Sequence, residues 1–497
     1  MTTNGKATTG RTTSRKASTA KETVSTAAED APLDWGSADE MNAFEVLMWR
    51  AEADRALSST VVGLEQLDVV PDWDRFVAAH EWAMRMVPRF RQRVVEPPLG
   101  IGNPRWAVDP EFDLRYHLRR VAVPGAGGWS ELLEAAAAIA MTPFDRSRPP
   151  WEVVLFEGLP DGRGAYLLKL HHSATDGMGS IQLLGQMHSR RREPTLDKPN
   201  PPLSQVVSSN PVETLVDQVV SDVSGVPGFL GGLGSGLLSA VRDPKGALRY
   251  GQSLRRVLTP PEAHGSPLLA KRSLTWRFAA LDVPVADLKA AGKTAGGSIN
   301  DAYLAALLGG YRRYHEAMGA PAPEAIPIAI PISVRKPNDP PGGNKISSAR
   351  ISAPLANSDP KARIEEVRAL ILSAKGERAN DVIGMFSPAL ARLPGQIIAQ
   401  VAGPMTKGND LQASNVPGIG DDLYIAGAKV ERIYPYAPLP GCAAMITFLS
   451  HGPIGCVGVN FDSASFTEPE LFVTSLLEGF REVLALHPGS GDPVART

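Results

Sequence analysis

The sequence predicts an α+β protein of two similar-sized lobes, and three observations carry that prediction. At 497 residues the chain is too long for one small core, since domains usually run to roughly 100–200 residues. Strand-like and helix-like patterns are mixed without the strict βαβ rhythm of a doubly wound parallel sheet. A Pro-, Ser- and Gly-rich stretch lies between the two sets of patterns. The expected division is a disordered tail over 1–33, an N-terminal lobe over 34–192, a crossover over 193–267 and a C-terminal lobe over 268–497.

The elements follow in order. Residues 1–33 are rich in Thr, Ser, Ala, Lys and Arg with almost no large apolar side chain, too little to offset the entropy of ordering. The tail lacks the apolar core of a secretory signal, and its basic, Ser-rich character only faintly resembles a transit peptide. From Asp72, Trp73, Phe76, Val77, Ala83, Met84 and Val87 recur at helical spacing behind a capping aspartate, up to Pro88. A second helix is expected from Ser130 to before Pro143. WEVVLFEGL and AYLLKLHH, joined by DGRG, read as a hairpin. In the crossover, residues 226–241 are uncharged but crowded with glycine, hence a weak helix, read as a linker with some apolar packing or else as a surface contact with lipid. The second lobe opens with the strand RSLTWRFAAL. A helix from Ser298 follows, where Ser298 and Asp301 resemble a capping pair. Then come the strand AIPIAIPISVR, a helix near 361–375, the strands CAAMITFLS and CVGVNFD, and a last helix from Thr467 with Glu470 completing a capping box.

Composition narrows the function. With 51 basic against 53 acidic residues and a net charge of −2, the chain lacks the positive field of a nucleic-acid binder. Cys442 and Cys456 fall in no metal-binding or disulfide spacing and are expected as reduced thiols in the cytoplasm. No window reaches the ~18 apolar residues of a spanning helix.

The chemistry concentrates in HHSATDG, residues 171–177, where the second hairpin strand gives way to a helix. Such a turn can face a cleft while both flanks hold it rigid. His172 is a suitable base for an alcohol, because imidazole titrates near neutral pH. Asp176 can turn back to bond the loop backbone or pair with an arginine, and so fix the loop that aims the ring. Gly177 offers a permissive backbone angle or close approach by substrate. The plainer alternative is a satisfied strand-end histidine before a common Asp-Gly turn. Zinc is disfavoured, since adjacent strand histidines point to opposite sides. No G-x-S-x-G elbow, P-loop or dinucleotide fingerprint is present. Direct transfer remains: a base takes the hydroxyl proton, the oxygen attacks an acyl thioester, and the tetrahedral oxyanion expels a thiolate.

HHSATDG, preceded by FDRSRPPWEVVLFEGL and followed by SINDAYLAAL, PISVR and SNVPG, resembles the bacterial wax ester synthase/diacylglycerol acyltransferase family over residues 38–487. The resemblance implies a two-lobed chloramphenicol-acetyltransferase-like CoA-dependent acyltransferase fold with a tunnel between the lobes. It implies His172 as catalytic base, Asp176 as orienting residue, and His171 and Gly177 as shaping the pocket. The family's Asn-Asp pair falls on Asn300 and Asp301, where Asn300 would donate to the oxyanion beside a helix N-terminus. Arg335 of PISVR is the implied partner of Asp176, against the plain reading of a surface arginine. Two departures, Pro149-Pro150-Trp151 for Pro-Leu-Trp and His451 for a tyrosine, bear on acceptor or chain-length preference.

The expected reaction is transfer from long-chain acyl-CoA, a substrate rather than a resident cofactor, to diacylglycerol or a long-chain alcohol. The products would be triacylglycerol or wax ester. Residues 381–403 are candidates for lining an acyl channel, although packing between lobes explains them equally. An insoluble product implies peripheral contact with the inner face of the membrane or with lipid droplets. The alternatives are condensation chemistry of the nonribosomal synthetase kind, which shares the HH-x-x-x-DG signature, and a non-catalytic acyl-lipid-binding relative.

Overall fold

The structure, a computed structural model, describes residues 33, 35–97, 102–204, 264–333, 344, 346–376 and 395–496. Residues 1–32 of the expected tail, residues 226–241, Arg335 and residues 381–394 of the suggested channel lie outside the described residues, whereas the Leu33 amide donates to the Met86 carbonyl at 2.7 Å.

Along the N-terminal half run α1 (Ala43–Ala51), β1 (Thr60–Leu67), α2 (Trp73–Met86), β2 (Gln92–Val95), β3 (Arg105–Val108), α3 (Leu114–His117), β4 (Leu118–Ala122), α4 (Trp129–Met141), β5 (Trp151–Glu157), β6 (Gly164–His171) and α5 (Gly177–Met187). The C-terminal half carries β7 (Trp276–Pro284), α6 (Val285–Thr294), α7 (Ile299–Ala317), β8 (Ala325–Ser333), β9 (Ile346–Pro354), α8 (Pro360–Gly376), α9 (Gly395–Lys407), β10 (Leu411–Ile419), β11 (Tyr424–Ile425), β12 (Ala428–Tyr436), β13 (Ala444–His451), β14 (Ile454–Asp462), α10 (Pro469–Leu484) and β15 (Val494–Arg496). No helix among the described residues is long and apolar enough to cross a membrane.

Local signals account for most boundaries. Asp72 caps α2 by accepting from the Arg75 amide at 2.9 Å. α4 begins one residue earlier than expected because the Glu131 carboxylate reaches back 3.1 Å to the Gly128 amide. The Thr467–Glu470 capping box does not form. α10 starts at Pro469 behind Glu468 without a side-chain cap, since proline suits the first helical position, where no N–H partner is needed.

Two large sheets organise the described residues, beside a two-stranded β2-β3 sheet. A six-stranded sheet has the order β11-β12-β1-β6-β5-β4, and a seven-stranded sheet the order β15-β7-β14-β13-β10-β8-β9. β11 and β12 come from the C-terminal half, yet β12 pairs antiparallel with β1, Val62 opposite Tyr436. The lobes therefore interlock, and the sheet of the N-terminal half is completed by residues far beyond the expected crossover.

In the first sheet β5 and β6 are buried on both faces, which is why they read as continuous apolar runs, whereas the edge strand β4 is exposed. Leu168 and Leu170 face α2 and α5, whereas Ala165 and Leu167 face α4. In the second lobe α7 is enclosed on nearly all sides, packing against α6, α8 and α10. Its Tyr303 hydroxyl donates to the Ile446 carbonyl at 2.8 Å.

Packing and charge both join the lobes. Phe278 of β7 stacks on Tyr436 of β12 with ring centroids 4.0 Å apart. Asp282 of β7 accepts from Arg432 Nε at 3.0 Å, from Tyr434 Oη at 2.6 Å and from Arg496 Nη2 at 2.6 Å. Where β14 passes beneath β12, Gly458 lies so close that an added Cβ would stand 2.0 Å from the Pro435 carbonyl oxygen. Only a residue without a side chain permits that crossing.

Candidate active site

The strand and helix flanking HHSATDG hold the turn from both sides. β6 runs between β1 and β5, and its ladder continues into the motif. The His171 amide donates to the Pro150 carbonyl at 3.0 Å and the His172 amide to the Ser59 carbonyl at 2.8 Å. The Ala174 amide then closes the turn onto the His171 carbonyl at 2.9 Å. Asp176 caps α5, its Oδ1 accepting from the Gly179 amide at 2.8 Å. The backbone-bonding role expected of Asp176 is thus observed. The helix N-terminus it caps favours negative charge.

The two histidines have different surroundings. His171 is fully buried. Its Nδ1 accepts from the Ser173 amide at 3.1 Å and lies 2.7 Å from the Ser173 hydroxyl. Its Nε2 therefore carries the proton and stands 3.4 Å from Glu52 Oε1. Trp49 meets the His171 ring edge-on at a centroid distance of 4.9 Å, and Arg146 lies over Trp49. Burial would raise the Glu52 carboxyl, but His171, the Ser59 amide at 2.7 Å and Arg146 together hold it at about 2. His171 is a fixed strut, not a free base.

His172 is half-buried as a residue. Burial holds the imidazole below its usual value of 6.5, with His171 acting in the same direction, while Asp176 and nearby carbonyls partly oppose this. A neutral ring at physiological pH is the form a general base requires. Asn344 contacts it: the carboxamide nitrogen lies 2.7 Å from His172 Nδ1 and 3.0 Å from the His172 carbonyl oxygen.

Gly177 has an ordinary negative φ, so no special backbone angle requires glycine there. The reason is space: an added Cβ would meet Val416 Cγ2 at 3.2 Å. Val416 belongs to SNVPG on β10, and the contact of α5 with β10 puts the motif at the seam between lobes. The close approach is made by the chain's own second lobe.

Other expected residues lie elsewhere. Asp301 is engaged by the capping box, accepting from the Ser298 amide at 2.7 Å, and Arg368 pairs with it at 3.3 Å. Asn300 is half-buried in the first turn of α7. Among the described residues no hydrogen bond joins Asn300 or Asp301 to the motif. The two family departures have structural surroundings: the Pro150 carbonyl accepts from the His171 amide at 3.0 Å, and His451 Nε2 lies 3.0 Å from the Val430 carbonyl oxygen. Cys442 and Cys456 are buried free thiols, each pushed up to about 12 by burial.

The sequence reading missed Glu52 and Asn344. Glu52 follows the end of α1 and Asn344 lies in a connection between strands, where neither has a periodic neighbour to mark it. Among the described residues no group of three His, Cys, Asp or Glu side chains is placed to hold a metal ion.

Comparison with known proteins gives this geometry a context. Residues 31–303 match the family model for the wax ester synthase/diacylglycerol acyltransferase catalytic domain, and residues 342–483 the model for the WS/DGAT C-terminal domain. A Mycobacterium tuberculosis (strain ATCC 25618 / H37Rv) protein named "Putative diacyglycerol O-acyltransferase Rv2484c" is 42% identical over 465 residues, 92% of this chain and 94% of its own length. Among solved structures, a wax ester synthase/diacylglycerol acyltransferase from Marinobacter aquaeolei VT8 superposes with a TM-score of 0.61 at 22% identity, covering 89% of this chain and 98% of that one. The first condensation domain of the CDA synthetase superposes with a TM-score of 0.56 at 13% identity, covering 92% and 97%. These two likenesses establish a shared two-lobed fold.

Proposed function

Because the chain belongs to the wax ester synthase/diacylglycerol acyltransferase family, we propose that it transfers a long-chain acyl group from CoA to a hydroxyl of diacylglycerol, or to a fatty alcohol, with His172 as general base. The observation that carries this reading is His172, half-buried and held below its usual titration range, on a rigid strand-to-helix turn at the seam of the lobes. The His172 ring takes the acceptor's hydroxyl proton as the oxygen attacks the thioester carbonyl carbon. The tetrahedral oxyanion collapses, the C–S bond breaks, and the imidazolium returns its proton to the departing thiolate. The products are an ester and free CoA. Acyl-CoA is a substrate here, and the written steps require no further group.

Asn300 remains the proposed oxyanion donor, supported by its place in the first turn of α7, and Arg335 the proposed partner of Asp176. An insoluble ester product favours peripheral attachment to a membrane or lipid droplet, and mixing the protein with anionic vesicles and sedimenting them tests that attachment. The chemistry is tested with purified protein, oleoyl-CoA and either dioleoylglycerol or hexadecanol. Ester formation that disappears in a folded His172→Ala variant is expected, and equal rates in the two proteins would exclude His172 as the base. Condensation chemistry shares the fold but would give no triacylglycerol in this assay. A binding-only relative would retain acyl-CoA without turnover.

A further inference from the structure

We propose that His188 is a positioning residue of the acyl-transfer site: as an imidazolium held between the last turn of α5 and Glu65 of β1, it fastens the far end of the helix whose start carries Asp176 and Gly177, and loss of its proton sets the alkaline limit of activity. The proposal rests on the acyl-transfer reading above and adds to it a residue outside the motif.

The geometry requires a charged ring. His188 ends α5, and its amide donates to the Leu184 carbonyl at 3.1 Å. Its ring Nδ1 lies 3.0 Å from the same carbonyl oxygen, and its Nε2 lies 2.9 Å from Glu65 Oε2. A carbonyl oxygen and an ionised carboxylate can only accept, so both ring nitrogens donate. Glu65 is 1% exposed and His188 7%, beside the apolar layer that α2 and α5 form on the first sheet. A charge in such surroundings persists only when paired. His80 of α2 shows the contrast. Its Nδ1 lies 2.8 Å from the Phe76 carbonyl oxygen, but its Nε2 faces the Tyr166 hydroxyl at 3.5 Å, which can donate. That ring needs one proton, and burial lowers it to about 4. Burial also works against the charge of His188, but the Glu65 carboxylate outweighs it and the ring stands above its ordinary 6.5. The charged and titratable groups facing the ring are Glu65 on β1, Tyr166 on β6, His80 on α2 and Arg190 on the loop after α5. Arg190 is itself paired with Asp421 at 3.4 Å.

β1 and α5 connect this pair to the base. The Ser59 carbonyl, just before β1, accepts from the His172 amide, and Glu65 lies toward the other end of the same strand. α5 is eleven residues long, about 16 Å, so the pair acts on the motif through the helix and not by contact. Asp176 fixes the start of α5 and His188 its end, and a rod held at both ends keeps its tilt against Val416 of β10. An imidazolium at a helix C-terminus also complements the helix dipole. When the proton leaves, one nitrogen turns a lone pair toward an acceptor, a hydrogen bond is lost, and the end of α5 is released. Ser189 and Tyr424 exchange two backbone hydrogen bonds of 2.9 Å, which keep the chain attached, so the helix tilts and the fold persists.

The test uses the full-length protein. Because the folded value of His188 is the higher one, the ion pair is complete below 6.5 and is lost as pH rises through the folded value. With oleoyl-CoA and dioleoylglycerol, kcat/KM should therefore fall about tenfold through that alkaline ionisation. Glu65→Gln keeps the shape and removes the countercharge, so this limb should move to lower pH. His188→Gln has no proton to lose. Its profile should be flat on the alkaline side, with kcat about tenfold below the parent plateau and KM for oleoyl-CoA within about twofold. Independently of turnover, protein labelled with 15N-histidine, assigned by difference from His188→Gln and His172→Gln, should show His188 mostly doubly protonated at pH 6.5. The His172 signals should then move as His188 titrates. Circular dichroism checks folding, and if His188→Gln does not fold, Glu65→Gln carries the pH profile. A neutral His188 at that pH, or an alkaline limb absent from the parent or unmoved in folded Glu65→Gln, would overturn the proposal. Absence of ester formation by the parent would instead refute the acyl-transfer reading, and the response of the His172 signals to His188 titration would still decide whether the two are coupled.

Discussion

Replacing Glu52 by Gln should destabilise the protein at neutral pH, and the loss should shrink as the solution is acidified. The carboxyl stands at about 2 in the folded chain against an ordinary value of 4.5. Burial opposes that depression, and it is outweighed by His171, by the Ser59 amide and by Arg146. With each unit of pKa equal to about 1.4 kcal/mol, the ionised carboxylate stabilises the fold by about 3 kcal/mol. Because the folded value is the lower one, the contribution is complete above 4.5 and is lost as pH falls through 4.5 toward 2. Glutamine keeps the size and an oxygen for the Ser59 amide but removes the charge. Urea unfolding followed by tryptophan fluorescence should give a difference of about 2–3 kcal/mol at about pH 7, falling to roughly half near pH 3. A difference below about 1 kcal/mol at neutral pH, or one that stays constant into acid, would refute the reasoning.

Other consequences can be checked separately. His172 is held below 6.5 mainly by burial, so kcat/KM for ester formation should stay level down to 6.5 and decline only at lower pH as the ring protonates; a decline beginning above neutrality would contradict this. Asn300→Ala should slow the chemical step by roughly ten- to a thousand-fold in a single-turnover assay, and an unchanged rate removes Asn300 from the oxyanion role. Gly458→Ala drives a methyl group into the Pro435 carbonyl and should cost roughly 3 kcal/mol, read as a lower thermal midpoint. An unshifted midpoint would mean that β12 and β14 separate at little cost.

How much could be read in advance depended on distance along the chain. The hairpin before the motif, the caps at Asp72 and Ser298 and the position of His172 at a strand-to-helix turn were all legible, because they rest on interactions within a few residues. WEVVLFEGL and AYLLKLHH were legible as two strands, whereas their burial on both faces is a property of the fold. The capping box at Thr467 was misread because Pro469 offered the helix a different start. Gly177 read as a permissive backbone angle or a close approach by substrate, and the structure sets the side chain of Val416 from the other lobe against it.

By itself, then, the sequence determined which segments become strands and helices and where the reactive imidazole sits, since periodicity, caps and turns act locally. The tertiary structure alone decided that β12 completes the first sheet, that Glu52 pins His171 and that Asn344 meets His172 across 172 positions. Those contacts join groups far apart in the chain, and a single buried hydrogen bond across such a separation leaves no repeating pattern along the sequence to reveal it.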